Sequence, residues 1–406
     1  MALFKGSKKL GFKALYGFSK YNLSSQVKLN KNIDSSALEI ISTNNAKSLP
    51  AFDNTLKFGS VMSDHMLIID FDDTNGWHRP LISPYKSFEM DPACSVFHYA
   101  LAAFEGCKAY MDSNNNIRTF RINKNMDRLY NSCEALIFPT FDKTEFKKCI
   151  EKLLIKDKRW IPNKDGFSLY IRPTIIGSNA SLGVTRANEV KLYVITGPVG
   201  PYYPTGFAPV SLLASDKYVR AWPGGSGNAK LAANYGPTIR AQMEAASQGY
   251  QQIMWLFNKD GIDGKMDGSD DYVTEVGTMN QFFYWINKDG NKELITASLD
   301  GTILPGVTRD SILTLAREWN EFIVTEREYT MKEVIDAVNE NRMIEAFGAG
   351  TAAIVSPVNN IGYRGKNYKI PCKDDKIGEL TNRFFKTITD IQYGRIEHEW
   401  SEIVRE

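Results

Sequence analysis

The chain has 406 residues, 43% hydrophobic and 24% charged, enough for two domains that each bury a core. A net charge of +2 gives no electrostatic basis for binding nucleic acid, and no apolar run reaches the ~20 residues of a membrane-spanning helix. Five cysteines without a Cys-x-x-Cys pair, and four histidines without metal-ligand spacing, argue against a disulfide framework and against a zinc site.

The first 33 residues carry seven lysines and no acid before Asp34. Residues 1–45 are therefore set apart as a targeting or disordered segment, similar to a mitochondrial transit peptide but without its usual arginines. The matrix is the expected compartment, with a basic tail on a cytoplasmic protein as the alternative. Globular character begins near Phe58. Val61 to Phe71 and Ile117 to Phe120 read as strands. Asn125 to Leu136 has helical spacing, and Asp142 with Glu145 forms a capping-box signature for a helix through Leu154. Phe167 to Ile171 and Val190 to Thr196 are β-rich. Gly197 to Pro209 holds four prolines and three glycines, so it reads as an interdomain linker that cannot sit inside a sheet.

Val210 to Ala214 opens the second half as a strand, followed by the glycine turn Pro223 to Gly227 and a helix from Pro237 to Ser247 ending at Gly249. Gln252 to Phe257 and Phe282 to Ile286 each run into Asn-Lys-Asp-Gly, a hairpin signal that predicts a meander of antiparallel strands. Gly261 to Asp271 reads as a solvated loop whose acidic spacing does not fit an EF-hand.

Two motifs are weak. Gly224 to Lys230 lacks the last glycine and the hydroxyl residue of a P-loop, and nothing marks Cys94, four residues before His98, as an activated thiol. Lys230 is the stronger candidate. It follows a glycine turn among small neighbours, where burial would favour the neutral amine that attacks an aldehyde. Taken alone, local composition favours an exposed structural lysine. Leu304-Pro-Gly-Val-Thr-Arg309 leads into a helix whose first N–H groups, from Val307 and Thr308, suit a phosphate, although Thr308 reads also as a plain N-cap. Phe347-Gly-Ala-Gly-Thr-Ala352 is a second small-residue turn. Glu275 stands in a β-type run, where a buried carboxylate calls for a cation.

These residues fall into blocks: His98-Tyr-Ala-Leu-Ala-Ala-Phe-Glu-Gly106, Asn125-Met-Asp-Arg128, Ser168-Leu-Tyr-Ile-Arg-Pro173, Ser181-Leu-Gly-Val184, Pro198-Val-Gly-Pro-Tyr202, Lys230-Leu-Ala-Ala-Asn-Tyr-Gly236, Thr274-Glu-Val-Gly-Thr-Met-Asn280, Leu304 to Arg309 and Phe347 to Thr351. In this order the chain resembles the eukaryotic branched-chain amino acid aminotransferases over about Phe58 to Gly394. The resemblance implies an α+β chain of PLP fold type IV, the D-amino acid aminotransferase-like fold. It has an N-terminal α/β domain (50–196), a linker (197–209) and a C-terminal domain with a barrel-like antiparallel sheet (210–406).

It implies pyridoxal 5′-phosphate as cofactor, joined as a Schiff base to Lys230, which also moves the proton as general base and acid. Tyr235 would meet the ring oxygen, Glu275 the ring nitrogen, and Thr278 would lie beside the cofactor. Arg128, the Val307 and Thr308 amides and Thr351 would hold the phosphate. Substrates would be leucine, isoleucine and valine with 2-oxoglutarate. Their carboxylate would meet Tyr170 and the amides near Thr351 and Ala352, with Arg172 assisting a dicarboxylate and Phe58, Phe104 and Tyr202 forming an apolar wall. Tyr99, Leu182 and Val184 would reach in from the partner of a homodimer.

Two departures from the family stand out. Ala232-Ala233 replaces a common Gly-Gly pair, a change expected to leave activity intact. Ala353 and Ser356 occupy the positions of a redox Cys-x-x-Cys, so no thiol switch is expected there. A D-amino acid transaminase or an aminodeoxychorismate lyase would use the same lysine and glutamate, and a non-catalytic binding protein would keep the fold. Tyr99, Tyr170 and Leu182 favour the branched-chain enzyme.

Overall fold

Alternating apolar residues along Ser168–Gly177 and Glu189–Val199 produce two long strands paired antiparallel from Ser168 opposite Val199 to Gly177 opposite Val190. A computed structural model describes this protein over residues 32–201, 208–259, 265–372 and 377–405. The pair forms the middle of the first sheet. On one side lie His65–Asp72, Leu81–Pro84 and Glu39–Ile40, and on the other Cys107–Met111, Ile117–Phe120 and the C-terminal Ser401–Ile403. The short strand Ala102–Phe104 pairs with Ser168–Gly177. Helices Ile122–Ala135 and Lys143–Lys156 bury Leu129, Phe146, Leu153 and Leu154 in the core that Leu67, Ile69 and Ile171 share.

Packing starts earlier in the chain than Phe58. Ile33 is buried in this core, and the Ser35 N–H donates to Glu145 at 2.9 Å, so the segment set apart at 1–45 includes folded residues. That contact also explains the cap at Asp142. Its carboxylate accepts from the Thr144 and Glu145 amides, but the Glu145 side chain is turned toward Ser35 and no reciprocal box forms. The last strand of the pair runs to Val199 with Pro198 inside it, contrary to the expectation that this stretch stays out of a sheet. On its other side the ladder with His65–Asp72 ends at Val194 and the last backbone bond is from the Ser63 N–H to the Thr196 carbonyl, so no ladder partner calls for an N–H at Pro198.

In the second half, six strands close into a barrel in the order Asp271–Val276, Gln252–Asn258, Val210–Ser215, Ile354–Tyr363, Met343–Gly350 and Met279–Ile286, which returns to the first. Met279–Ile286 is apolar on both faces. Phe283 and Trp285 enter one cluster with Met254 and Val334, whereas Phe282 and Tyr284 pack with Phe347 and Phe384 under the helices Val307–Trp319 and Glu379–Gln392. The predicted meander holds in that Gln252–Asn258 pairs antiparallel with Asp271–Val276, and Met279–Ile286 with Lys292–Thr296; the first Asp-Gly turn lies outside the described residues. It fails at Val210–Ser215, which runs parallel to both neighbours. A parallel pair needs a crossover, and residues 216–251 supply one with the helix Thr238–Ser247. That crossover carries Lys230.

Candidate active site

The Lys230 segment is held by the first sheet. Leu231 bridges Ala103, the Phe104 N–H donates to the Lys230 carbonyl at 3.1 Å, and the Lys230 N–H donates to Ser132 Oγ at 2.9 Å. The amine therefore projects from backbone fixed on both sides. Its Nζ donates to the Tyr235 hydroxyl at 3.0 Å and lies 4.8 Å from the centre of the Phe104 ring. Burial, then the nearby Arg128 guanidinium, push the amine down to about 7, so a large share is neutral near physiological pH. Burial and the Glu275 charge push the Tyr235 phenol well above its ordinary value, so it stays protonated. Ala232 and Ala233 sit in a short 3-10 turn with Ala233 exposed, so its methyl does not crowd the amine.

Arg128 lies on the helix Ile122–Ala135 and is buried against Glu105, which it meets through Nε at 2.6 Å and Nη2 at 2.9 Å. Burial works to raise the Glu105 carboxyl, but Arg128 outweighs it and holds the group below the usual carboxylate value. Nη1 donates to the Pro305 carbonyl at 3.1 Å, leaving two of the five guanidinium N–H groups over among the described residues. Pro305 adjoins the N-cap Gly306, where no side chain caps the helix, so the Val307 and Thr308 amides have no intrahelical acceptor. Glycine leaves room at this cap: a Cβ there would stand 2.1 Å from Asn280 Oδ1 and force that side chain to shift. A fixed guanidinium and a bare helix N-terminus suit a phosphate.

Glu275 is buried on Asp271–Val276, directly across from Asn280. Its carboxylate accepts from the Leu304 N–H at 2.8 Å and from Asn280 Nδ2 at 3.2 Å, and it pairs with Arg220 at 2.8 Å. Burial still pushes this carboxyl up, and a further cation such as a protonated pyridine would offset that cost. Thr278 lies in the same hairpin with its side chain exposed, outside this network.

Tyr170 faces Gly106, whose missing Cβ makes room for the phenol; a Cβ there would stand 2.0 Å from the hydroxyl. Tyr170 accepts from Arg172 at 3.0 Å, which leaves its own proton to donate. Phe58 packs edge-on against Tyr170 at 4.9 Å, and Phe104 lies 4.9 Å from Tyr235. Thr351 and Ala352 occupy the turn between Met343–Gly350 and Ile354–Tyr363. That turn ends at Ile354 with φ +65, a left-handed conformation a β-branched residue rarely adopts. Tyr99 donates to the Leu182 carbonyl, with Leu182 65% and Val184 84% exposed, apart from the lysine cluster in a single chain. Tyr202 lies outside the described residues. Cys94 donates to the Ser178 carbonyl and His98 meets the Pro92 carbonyl, so they form no pair.

Glu105 and Arg220 escape a reading by sequence alone, although each is a charge in an apolar stretch, the same signal that marks Glu275. Ser132 gives no such signal, because its role depends on the crossover meeting a distant helix.

The class IV amino-transferase family model matches residues 102–361. A branched-chain-amino-acid aminotransferase of Dictyostelium discoideum is 52% identical over 86% of this chain and 90% of its own length. The mitochondrial one of Saccharomyces cerevisiae is 47% identical over 92% and 93%, and the cytosolic one of Mus musculus 48% over 86% and 88%. The Escherichia coli branched-chain amino acid aminotransferase structure, 24% identical, shares the fold with a TM-score of 0.65 over 80% of this chain and 97% of that one. The Thermobaculum terrenum enzyme in its PLP form, 21% identical, has a TM-score of 0.65 over 84% and 99%. The chain belongs to the class IV amino-transferases and, within them, to the branched-chain-amino-acid aminotransferases, whose cofactor is pyridoxal 5′-phosphate.

Proposed function

We propose that the protein transfers the amino group of L-leucine, L-isoleucine and L-valine to 2-oxoglutarate, giving branched-chain 2-oxo acids and L-glutamate. Lys230 would be both the cofactor attachment point and the proton carrier. The observation that carries this reading is a half-buried amine pushed down to about 7, 3.0 Å from the Tyr235 hydroxyl and flanked by Arg128, Glu105 and Glu275. When bound, pyridoxal phosphate supplies an electron-poor ring that stabilises the charge left as the α-proton departs. The chain does the rest.

Arg128, the Val307 and Thr308 amides and Thr351 hold the phosphate. Glu275 would hold a proton on the ring nitrogen, and Arg220, paired with it at 2.8 Å, opposes the rise that burial imposes on the carboxyl. Lys230 would take the proton from the substrate α-carbon as general base and give it back as general acid. Tyr170 donates to the substrate carboxylate, as do the amides at Thr351 and Ala352. Phe58 and Phe104 bound an aliphatic side chain, and Arg172 receives the second carboxylate of glutamate. Leu182 and Val184, large and exposed in one chain, complete the pocket of the partner with Tyr99, which makes the working unit a homodimer.

A panel of amino donors tests this. L-leucine, L-isoleucine and L-valine should give steady glutamate formation from 2-oxoglutarate, with D-alanine and aminodeoxychorismate inert. Turnover of either of the last two, or none with the first three, contradicts it. Light scattering should give the mass of a dimer, and a fully active monomer contradicts the shared pocket. The lysine-rich, acid-free stretch before Asp34 supports import into the mitochondrial matrix. A C-terminally tagged protein that stays in the cytosol would contradict that.

A further inference from the structure

Behind the turn that carries Thr351 and Ala352 lies a cavity of about 150 Å³ that none of Lys230, Tyr235, Glu275 or Tyr170 lines. Lys108 enters it from the first sheet, residues 352–357 from the barrel, and Phe385, Thr389 and Gln392 from the helix Glu379–Gln392. Lys108 is only 8% exposed. Its ammonium makes one hydrogen bond, to the Ala352 carbonyl at 2.8 Å, so two of its three N–H groups are unused among the described residues. Among the described residues no acid lines the cavity, and the buried cation has no counter-ion in it. Gln392, 5% exposed, has an Oε1 without a hydrogen-bond partner among the described residues, and the same holds for the Thr389 hydroxyl. The rest of the described wall is largely apolar, with Pro201, Ala208, Ala353, Ile354, Val355 and Phe385 in it.

A buried cation with spare donors, an orphaned carbonyl oxygen and an apolar wall together describe a ligand's complement. We propose that this cavity is a second ligand site that takes a small monocarboxylate with an apolar body, its carboxylate on Lys108 and any N–H or O–H it carries on Gln392. A neutral hydrocarbon would leave the ammonium unpaired, and an inorganic dianion would meet one cation among apolar walls. A volume near 150 Å³ holds a body about the size of benzene. Burial alone pushes the Lys108 amine down to about 8, in keeping with a cation that has no partner of opposite sign.

The site is wired to the turn. A carboxylate on Lys108 competes with the Ala352 carbonyl for the ammonium, and the same turn contains the strained Ile354. Occupancy therefore shifts the amides read above as contacts for the substrate carboxylate. This coupling rests on that reading; the binding does not. The branched-chain acids exchanged at the reaction centre belong to the class that would fit, so the site would sense the enzyme's own substrates or products.

Equilibrium dialysis of 4-methylpentanoate against the holoenzyme tests the proposal. Two equivalents per chain are expected, one in the substrate pocket and one in the cavity. Lys108→Met, and Thr389→Phe, which plugs the cavity without touching Lys108, should each retain one. Inhibition of L-leucine turnover should have a non-competitive part that both variants lose. One equivalent with purely competitive inhibition in the unmodified protein, as a cavity holding only water would give, overturns the proposal. So do two equivalents in either folded variant. Two equivalents in a protein that transfers no amino group would leave the second site standing and remove the reading of the first.

Discussion

Lys230 and Lys108 are two lysines withdrawn from water in one chain, and they differ in company. Lys108 has a single carbonyl as partner, and burial alone brings its amine to about 8. Lys230 has Tyr235 at hydrogen-bond distance, and the Arg128 guanidinium adds to burial, bringing the amine to about 7. Burial accounts for most of the neutral form in both. At Lys230 the Arg128 guanidinium, held in place by Glu105 and placed for a phosphate, adds to burial in the same direction, whereas nothing adds to burial at Lys108. The anion cradle and the activated amine are thus one electrostatic unit.

The comparison breaks if the two lysines are interchangeable. Lys230→Ala should lower turnover by about 10³-fold or more, since a proton carrier of this kind contributes roughly 10²–10⁴-fold and the attachment point is lost too. Lys108→Met should retain turnover within about tenfold, with the change mainly in KM for the amino donor. Equal losses in the two variants would sink the distinction. Glu275→Gln sits next in size. An amide cannot hold the ring proton as a carboxylate does, so kcat should fall about 10²-fold with KM little changed. A variant at full speed would remove Glu275 from the chemistry.

pH sharpens the comparison. A neutral amine is the attacking species, so capture of pyridoxal phosphate by the apoenzyme should rise about tenfold between roughly pH 6 and pH 8. The sign follows from the lowered amine, which is protonated below about 7 and free above it. Arg128→Met removes the neighbouring cation and should move the midpoint upward, and Lys108→Met should leave it in place. A capture rate flat across this range would contradict the role of Lys230. The smallest effect concerns stability. Glu105→Gln strands a buried guanidinium, at a cost of about 3 kcal/mol, and bound phosphate should recover part of it. Thermal melting should therefore fall more in the apoenzyme than in the holoenzyme, and an equal fall would detach Arg128 from the phosphate.

The local features were legible because they depend on local chemistry. Asp142 caps its helix, Gly249 ends another with φ +87, and Asn-Lys-Asp-Gly at 287–290 turns a hairpin. Lys230 and Glu275 were legible from their own neighbourhoods, Arg128 and Tyr235 only through the family blocks, and the structure brings the four together. What the sequence hid depends on distant pairing. Glu145 leaves its capping box because Ser35 is folded against it, and Pro198 enters a sheet because the ladder beside it ends at Val194. Val210–Ser215 runs parallel because the crossover that holds Lys230 must return to the same sheet. Glu105, Arg220 and Lys108 look alike along the chain. Only the fold assigns them an arginine, a carboxylate and an apolar wall.

Reduction of the holoenzyme with borohydride, followed by peptide mass mapping, bears most directly on the central claim. The account predicts a phosphopyridoxyl mass on the peptide that contains Lys230 and on no other lysine. A label on Lys108, or none at position 230, would contradict it.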